Sequence, residues 1–188
     1  MHFKSDHTAP AHPHVLEALS KANHECQLSY GQDPLSKKVR QQFCQIFERE
    51  VAVFFVSTGT AANCLGLKAL CPSYGGIYCT EEAHIQNEEC GAPHFFLPGA
   101  KLHAVASQDG KIISRELQPL IDHKRSFAPH CNRPTTISLT QASECGTVYT
   151  VEELEAIQEI AIKNQLSLHM DGARFANAVA SAQKPLPE

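Results

Sequence analysis

The sequence predicts an α/β fold, a three-layer αβα arrangement around a mainly parallel sheet, and three observations predict it. From about residue 51 onward, short apolar runs alternate with stretches of helical spacing, the order that puts helices on both faces of a parallel sheet. The run Val51–Val56 passes through a small polar turn, Ser57-Thr58-Gly59-Thr60, into a helix-like stretch. The run Leu166-Ser167-Leu168-His169-Met170 stops on Asp171-Gly172, a carboxylate and a glycine turn at the rim where such sheets bind ligands.

The elements follow in order. Residues 1–14 mix prolines with histidines and read as an extended arm. Val15, Leu16, Ala18 and Leu19 give helical spacing over 15–22. Tyr30-Gly31-Gln32-Asp33-Pro34 is a turn, and Ser36–Phe47 is a helix with Val39, Phe43, Ile46 and Phe47 on one face. Strands are expected at 51–56, 76–79, 94–97 and 102–105, with a helix over 62–70 between the first two. A helix at 114–124, a strand at 135–140, a helix at 151–164 and the strand at 166–170 complete the series. The start of the 151–164 helix is the best signalled: Thr150 followed by Glu153 is a capping box, and Glu152, Glu153 and Glu155 suit the positive end of the helix dipole.

Composition bounds the function. With 188 residues, 43% hydrophobic and 19% charged, the chain can bury a core. A net charge of −4 and a pI near 6.2 give neither a nucleic-acid footprint nor a basic membrane patch. No apolar run approaches the roughly 20 residues that span a bilayer, and a polar N-terminus points to a cytoplasmic protein. The eight cysteines include no Cys-x-x-Cys pair, and His-Glu-x-x-His is absent, so no metal is expected and buried free thiols account for most of the cysteines. A cluster of Cys79, His84, Cys90 and His94 matches no defensible ligand spacing.

Three places carry chemistry. Asp171 is suited to pyridoxal phosphate, since a carboxylate opposite the pyridine nitrogen keeps that nitrogen protonated and the ring electron-withdrawing. The same residue also suits a plain helix cap with Arg174 as a surface partner. Ser57–Asn63 makes an anion cradle: Gly59 admits close backbone approach, Thr58 and Thr60 offer hydroxyls, and the helix start offers free N–H groups. It lacks the lysine of a P-loop and the glycine pattern of a dinucleotide fold, so a phosphate on a small cofactor fits it best, beside the plain alternative of a Thr N-cap. His84 follows a rim loop after the 76–79 strand, where an imidazole can stack on a ring and move protons. His130, just before the 135–140 strand, is within loop reach of the same rim or is an ordinary exposed histidine.

At these residues the chain resembles the low-specificity threonine aldolases, pyridoxal-phosphate enzymes of fold type I grouped with the β-eliminating lyases. The resemblance runs in order through Phe3-Lys4-Ser5-Asp6, Tyr30-Gly31-Gln32-Asp33, Ser57–Asn63, Ala83-His84, Glu89-Cys90-Gly91-Ala92-Pro93, Thr140–Tyr149 and His169–Ala178. It implies a large domain of the pyridoxal-phosphate transferase type, with Thr58, Gly59 and Thr60 at the cofactor phosphate, His84 stacked on the ring and Asp171 at its nitrogen. Arg174 and Ser5 would contact the carboxylate of a β-hydroxy-α-amino acid substrate, His130 would lie near its β-hydroxyl, and Tyr30 would belong to a loop closing an active site, that of a neighbouring subunit included. The implied reaction cleaves threonine or allo-threonine to glycine and acetaldehyde, in a homodimer or homotetramer.

The resemblance also sets an expectation of incompleteness. The family's Schiff-base lysine lies in a Thr-Lys or Ser-Lys motif beyond the Asp171–Arg174 match, and Lys184 lacks that context. The chain is therefore expected to hold an N-terminal arm and helix (1–22) and a partial, C-terminally truncated cofactor-binding domain (23–188), with the small domain absent and turnover low or nil. Two other readings share the residues: a β-eliminating lyase of the same fold, and a non-catalytic remnant serving binding or dimerisation.

Overall fold

The structure is a computed structural model that describes residues 8–182. Ser5 and Lys184 lie outside the described residues. The chain divides into two compact units at the Val53/Phe54 junction.

The first unit holds α1 (Pro13–Ala22) and α2 (Pro34–Ile46). Both helices start on a proline, whose fixed φ suits the first helical position. Asp33 caps α2, its Oδ1 accepting from the Ser36 N–H at 2.8 Å, so the expected turn at 30–34 runs directly into the helix. Neither helix buries a residue fully, and Val15, Leu16 and Leu19 are exposed. Residues 51–56 form no strand. Their β-branched and aromatic side chains favour extended backbone, but a strand needs a ladder partner and none is supplied among the described residues; Phe54 and Phe55 stay exposed.

The second unit contains α3 (Gly59–Leu70), β1 (Gly75–Thr80), α4 (His84–Asn87), α5 (Ala92–Phe96), β2 (Lys101–Val105), β3 (Ser107–Gln108), β4 (Lys111–Ile112), α6 (Ser114–Ser126), β5 (Arg133–Thr140), α7 (Val151–Asn164), β6 (Ser167–Asp171) and α8 (Phe175–Ala182). The main sheet has the order β2-β1-β5-β6 with every neighbour parallel, as expected from the alternation. A small antiparallel hairpin, β3 with β4, was not signalled by its four residues. The expected strand at 94–97 is instead α5: Gly91 adopts φ +76° as N-cap and a proline follows at the helix start, and that punctuation outweighs the apolar run of Phe95-Phe96-Leu97.

Side chains of the strands alternate between two cores. Ile77 and Cys79 of β1 pack with Leu67, Cys71, Ile85 and Leu97 on the α3–α5 side. Tyr78 of β1 and Ile137 and Leu139 of β5 pack with Leu117 and Ile121 of α6 and Ile157 and Ala161 of α7 on the other side. The sheet is thus covered on both faces. Of the cysteines, all free, Cys64, Cys71 and Cys79 are buried, whereas Cys26, Cys90 and Cys145 are exposed, so burial explains fewer thiols than composition implied.

The capping box at α7 is present in full. Thr150 Oγ1 accepts from the Glu153 N–H at 3.2 Å and Glu153 Oε2 accepts from the Thr150 N–H at 2.8 Å, while Lys111 Nζ reaches both Glu153 oxygens at 2.7 Å. Thr150→Ala is expected to lower stability by about 1 kcal/mol, read as a reduced urea midpoint with an unchanged slope. No helix among the described residues is long and apolar enough to cross a membrane.

Candidate active site

Parallel strands put all their carboxyl ends on one rim, and the chain order splits there: β1 leads outward to β2, β5 leads the other way to β6. The crevice at such a switch point is where open α/β sheets hold ligands. The loop after β1 delivers His84, the loop after β5 delivers Glu144, and β6 ends on Asp171. The first two meet directly, the His84 N–H donating to Glu144 Oε1 at 2.8 Å, with Thr140 Oγ1 donating to the same oxygen at 2.9 Å.

Helix α3 runs back along the sheet and brings its N-terminus to this rim. Its far end stays at the other edge of the strands, where the Leu70 carbonyl accepts from Thr136 Oγ1. At Gly66 the helix passes beside β6, where a Cβ would make an ordinary contact 3.4 Å from His169 Cδ2. His169 is itself buried against Ser138 Oγ at 2.8 Å, and burial pushes its pKa down although Asp171 opposes this, so it serves as a neutral core group. At the start of α3, Thr58 Oγ1 caps the Ala61 N–H at 3.1 Å and the Thr58 carbonyl accepts from Ala62. The N–H groups of Gly59 and Thr60 therefore have no intrahelical acceptor, and the space where a Gly59 Cβ would sit is open to 4 Å. One turn further in, Asn63 is buried and donates to Asp171 Oδ2 at 2.8 Å. Four residues separate the two features, about 6 Å along the helix axis.

Asp171 is held at both oxygens, since Oδ1 accepts from the Ala173 N–H at 3.0 Å. The second Asn63 hydrogen bond goes to Glu89 Oε1 at 2.7 Å, and His84 Nδ1 lies 2.9 Å from that same oxygen. His84 Nε2 faces Glu88 Oε2 at 3.6 Å. Burial alone would lower the His84 pKa, but the Glu89 hydrogen bond and the charges of Glu89, Glu88 and Asp171 outweigh it and raise the imidazole above its ordinary value. Ligand atoms of His84, Glu89 and Asp171 lie within 4.8 Å of one another.

Thr58, Gly59, Thr60, His84 and Asp171 are thus brought to one rim. Arg174 follows Asp171 by three residues, half-buried at the entry to α8. His130 is not brought there. It precedes β5, and in a parallel sheet the segment before a strand lies at the amino end; the eight residues of β5 put about 26 Å of strand between it and the Thr140–Asp171 rim. Tyr30, with φ +59° and 95% exposed, belongs to the first unit. Asn63, Glu89 and Glu144 were assigned no role from sequence. A buried Asn inside a helix is the one advance signal among them, because Asn is a poor helix former that costs free energy to bury unless its amide is bonded.

The arrangement suits a ligand with an anion at one end and a protonated ring nitrogen at the other: an open cradle of helix N–H groups lies about one turn from a fixed carboxylate, with an imidazole beside it. A family model described as the β-eliminating lyases matches residues 2–188. The low specificity L-threonine aldolase of Pseudomonas sp. (strain NCIMB 10558) is 40% identical over 95% of this chain and 51% of its own length. A protein of Cochliobolus carbonum described as alanine racemase TOXG is 30% identical over 99% of this chain and 47% of its own length. The solved threonine aldolase of Leishmania major superposes with a TM-score of 0.90 at 27% identity, covering 97% of this chain and 53% of that one. The chain spans about half the length of the relatives it matches. The match over nearly every residue places this chain in the β-eliminating lyase family, whose enzymes depend on pyridoxal phosphate.

Proposed function

We propose that this chain is the cofactor-binding part of a low-specificity threonine aldolase that cleaves L-threonine or L-allo-threonine to glycine and acetaldehyde. The observation that carries the reading is the spacing on α3: an open anion cradle at Gly59 and Thr60, and one turn away the Asn63 amide that fixes Asp171. Pyridoxal phosphate held there supplies an electron sink for the charge left when a Cα–Cβ bond breaks.

The chain's own residues supply the rest. Gly59 and Thr60 N–H groups and the Thr60 hydroxyl receive the phosphate, with Thr58 beside them. Asp171, held by two donors, keeps the pyridine nitrogen protonated. His84 is the imidazole that the rim offers for stacking and for taking a β-hydroxyl proton. Arg174, with Ser5, holds the substrate carboxylate, for which a guanidinium fork is suited. Phe54, Phe55 and Phe95 are each at least 65% exposed, apolar surface that a homodimer or homotetramer would cover.

The test is an absorbance titration of the purified chain with pyridoxal phosphate, then borohydride reduction and mass analysis. Reversible saturable binding with no site-specific covalent label is the expected result. A folded chain that shows no binding overturns the reading in favour of a non-catalytic module. Covalent label on Lys184 would assign the chain its own attachment lysine. Release of pyruvate and ammonia from a sulfur-containing amino acid by the longer protein, without acetaldehyde from threonine, would favour the β-eliminating lyase.

A further inference from the structure

We propose that Glu89 and Asn63 are positioning residues of this site: the Glu89 carboxylate pins His84 with Nδ1 protonated, leaving Nε2 as the nitrogen that exchanges a proton, and Asn63 ties that carboxylate to Asp171 through a single amide. The inference rests on the cofactor reading above and adds to it the residues that set its imidazole and its nitrogen acceptor.

The geometry requires particular donors. The Glu89 side chain is fully buried, and its Oε1 faces both Asn63 Nδ2 and His84 Nδ1 while Oε2 has no hydrogen-bond partner. Oε1 already accepts from the Asn63 amide, so it is the accepting oxygen of Glu89, and an imidazole bonded to it donates from Nδ1. Turning the Asn63 amide over would bring its carbonyl oxygen against two carboxylates, so its two N–H bonds fix both its own orientation and theirs. A buried carboxylate with one unpartnered oxygen is costly, and a protonated imidazole beside it offsets that cost.

The groups facing His84 are acidic from every side that holds it. Glu88 and Glu89 come from the segment after α4, Asp171 from the end of β6, and Glu144 from the loop after β5, where it accepts from the backbone N–H of His84. Glu89 is the one among them within hydrogen-bond distance of a ring nitrogen. Substitution at Glu89 therefore acts on His84, whereas substitution at Asn63 acts on His84 and on Asp171 together.

The experiment is long-range ¹H–¹⁵N spectroscopy of the histidine side chains of the full chain, free of cofactor, across pH 5 to 9, with His84 assigned from its loss in His84→Gln. The expected neutral form carries its hydrogen at Nδ1. Glu89→Gln is expected to move the His84 midpoint downward, populate the other tautomer, and leave pyridoxal-phosphate binding within a few-fold. Asn63→Ala is expected to disturb His84 and also weaken cofactor binding by about tenfold, the loss of one charge-assisted hydrogen bond. A neutral His84 protonated at Nε2 in the unsubstituted chain overturns the proposal without any variant. So does a Glu89→Gln protein whose His84 midpoint and tautomer are unchanged. A chain that fails to bind pyridoxal phosphate but keeps the Nδ1 form overturns the cofactor reading alone.

Discussion

Asp171→Ala is expected to weaken binding of pyridoxal phosphate by about 10- to 100-fold, the equivalent of one hydrogen bond to a charged group at about 1.5–3 kcal/mol. In the proposed function this carboxylate is the partner of the ring nitrogen; its Oδ2 is fixed by Asn63 and its Oδ1 by the Ala173 N–H. Removing it takes the acceptor from both donors as well. The buried Asn63 amide then retains Glu89 alone, so the loss is not confined to the ligand. Asp171→Asn preserves the shape and the Ala173 contact but sets an NH2 against the Asn63 donor and lacks the charge that keeps a ring nitrogen protonated, and is expected to bind nearly as poorly. Absorbance or fluorescence titration measures both. An Asp171→Ala protein with unchanged affinity would mean that the phosphate cradle alone retains the cofactor and that Asp171 acts as a helix cap.

The place of Asp171 was legible in the sequence because a strand ending on a carboxylate before a glycine is a local pattern. So were the α7 capping box and the Thr58 cap, each written within a few residues. The remainder of the site depends on contacts that no local pattern encodes. Asn63 and Glu89 are joined across 26 residues, Asn63 and Asp171 across 108, and His84 with Glu144 across 60. His130 illustrates a different limit. Its proximity to a strand was visible, but in a parallel sheet the end of the strand it flanks decides the side of the molecule, and it flanks the amino end. The segments 51–56 and 94–97 both read as strands from apolar content. The first found no partner strand among the described residues, and the second was turned into a helix by Gly91 and Pro93.

Ile137→Ala is expected to destabilise the second unit by about 2–5 kcal/mol, a large share of the roughly 5–15 kcal/mol typical of a whole domain. Ile137 is fully buried in β5, in register with Tyr78 on one side and Leu168 on the other, so it belongs to the strand that bonds both neighbours. Its side chain lies in the cluster with Leu117, Ile121 and Ile157, so truncation to alanine takes apolar contact from both α6 and α7 and leaves a cavity between them and the sheet. The cluster is on the face opposite α3, so the cofactor affinity of the protein that remains folded is expected to stay unchanged, which separates this effect from that of Asp171→Ala. Ile137→Val removes one methylene from the same place and is expected to cost about 0.5–1.5 kcal/mol. Urea unfolding followed by far-ultraviolet circular dichroism measures all three proteins. A cost below that of the valine variant would mean that Ile137 is not packed at the centre of this cluster.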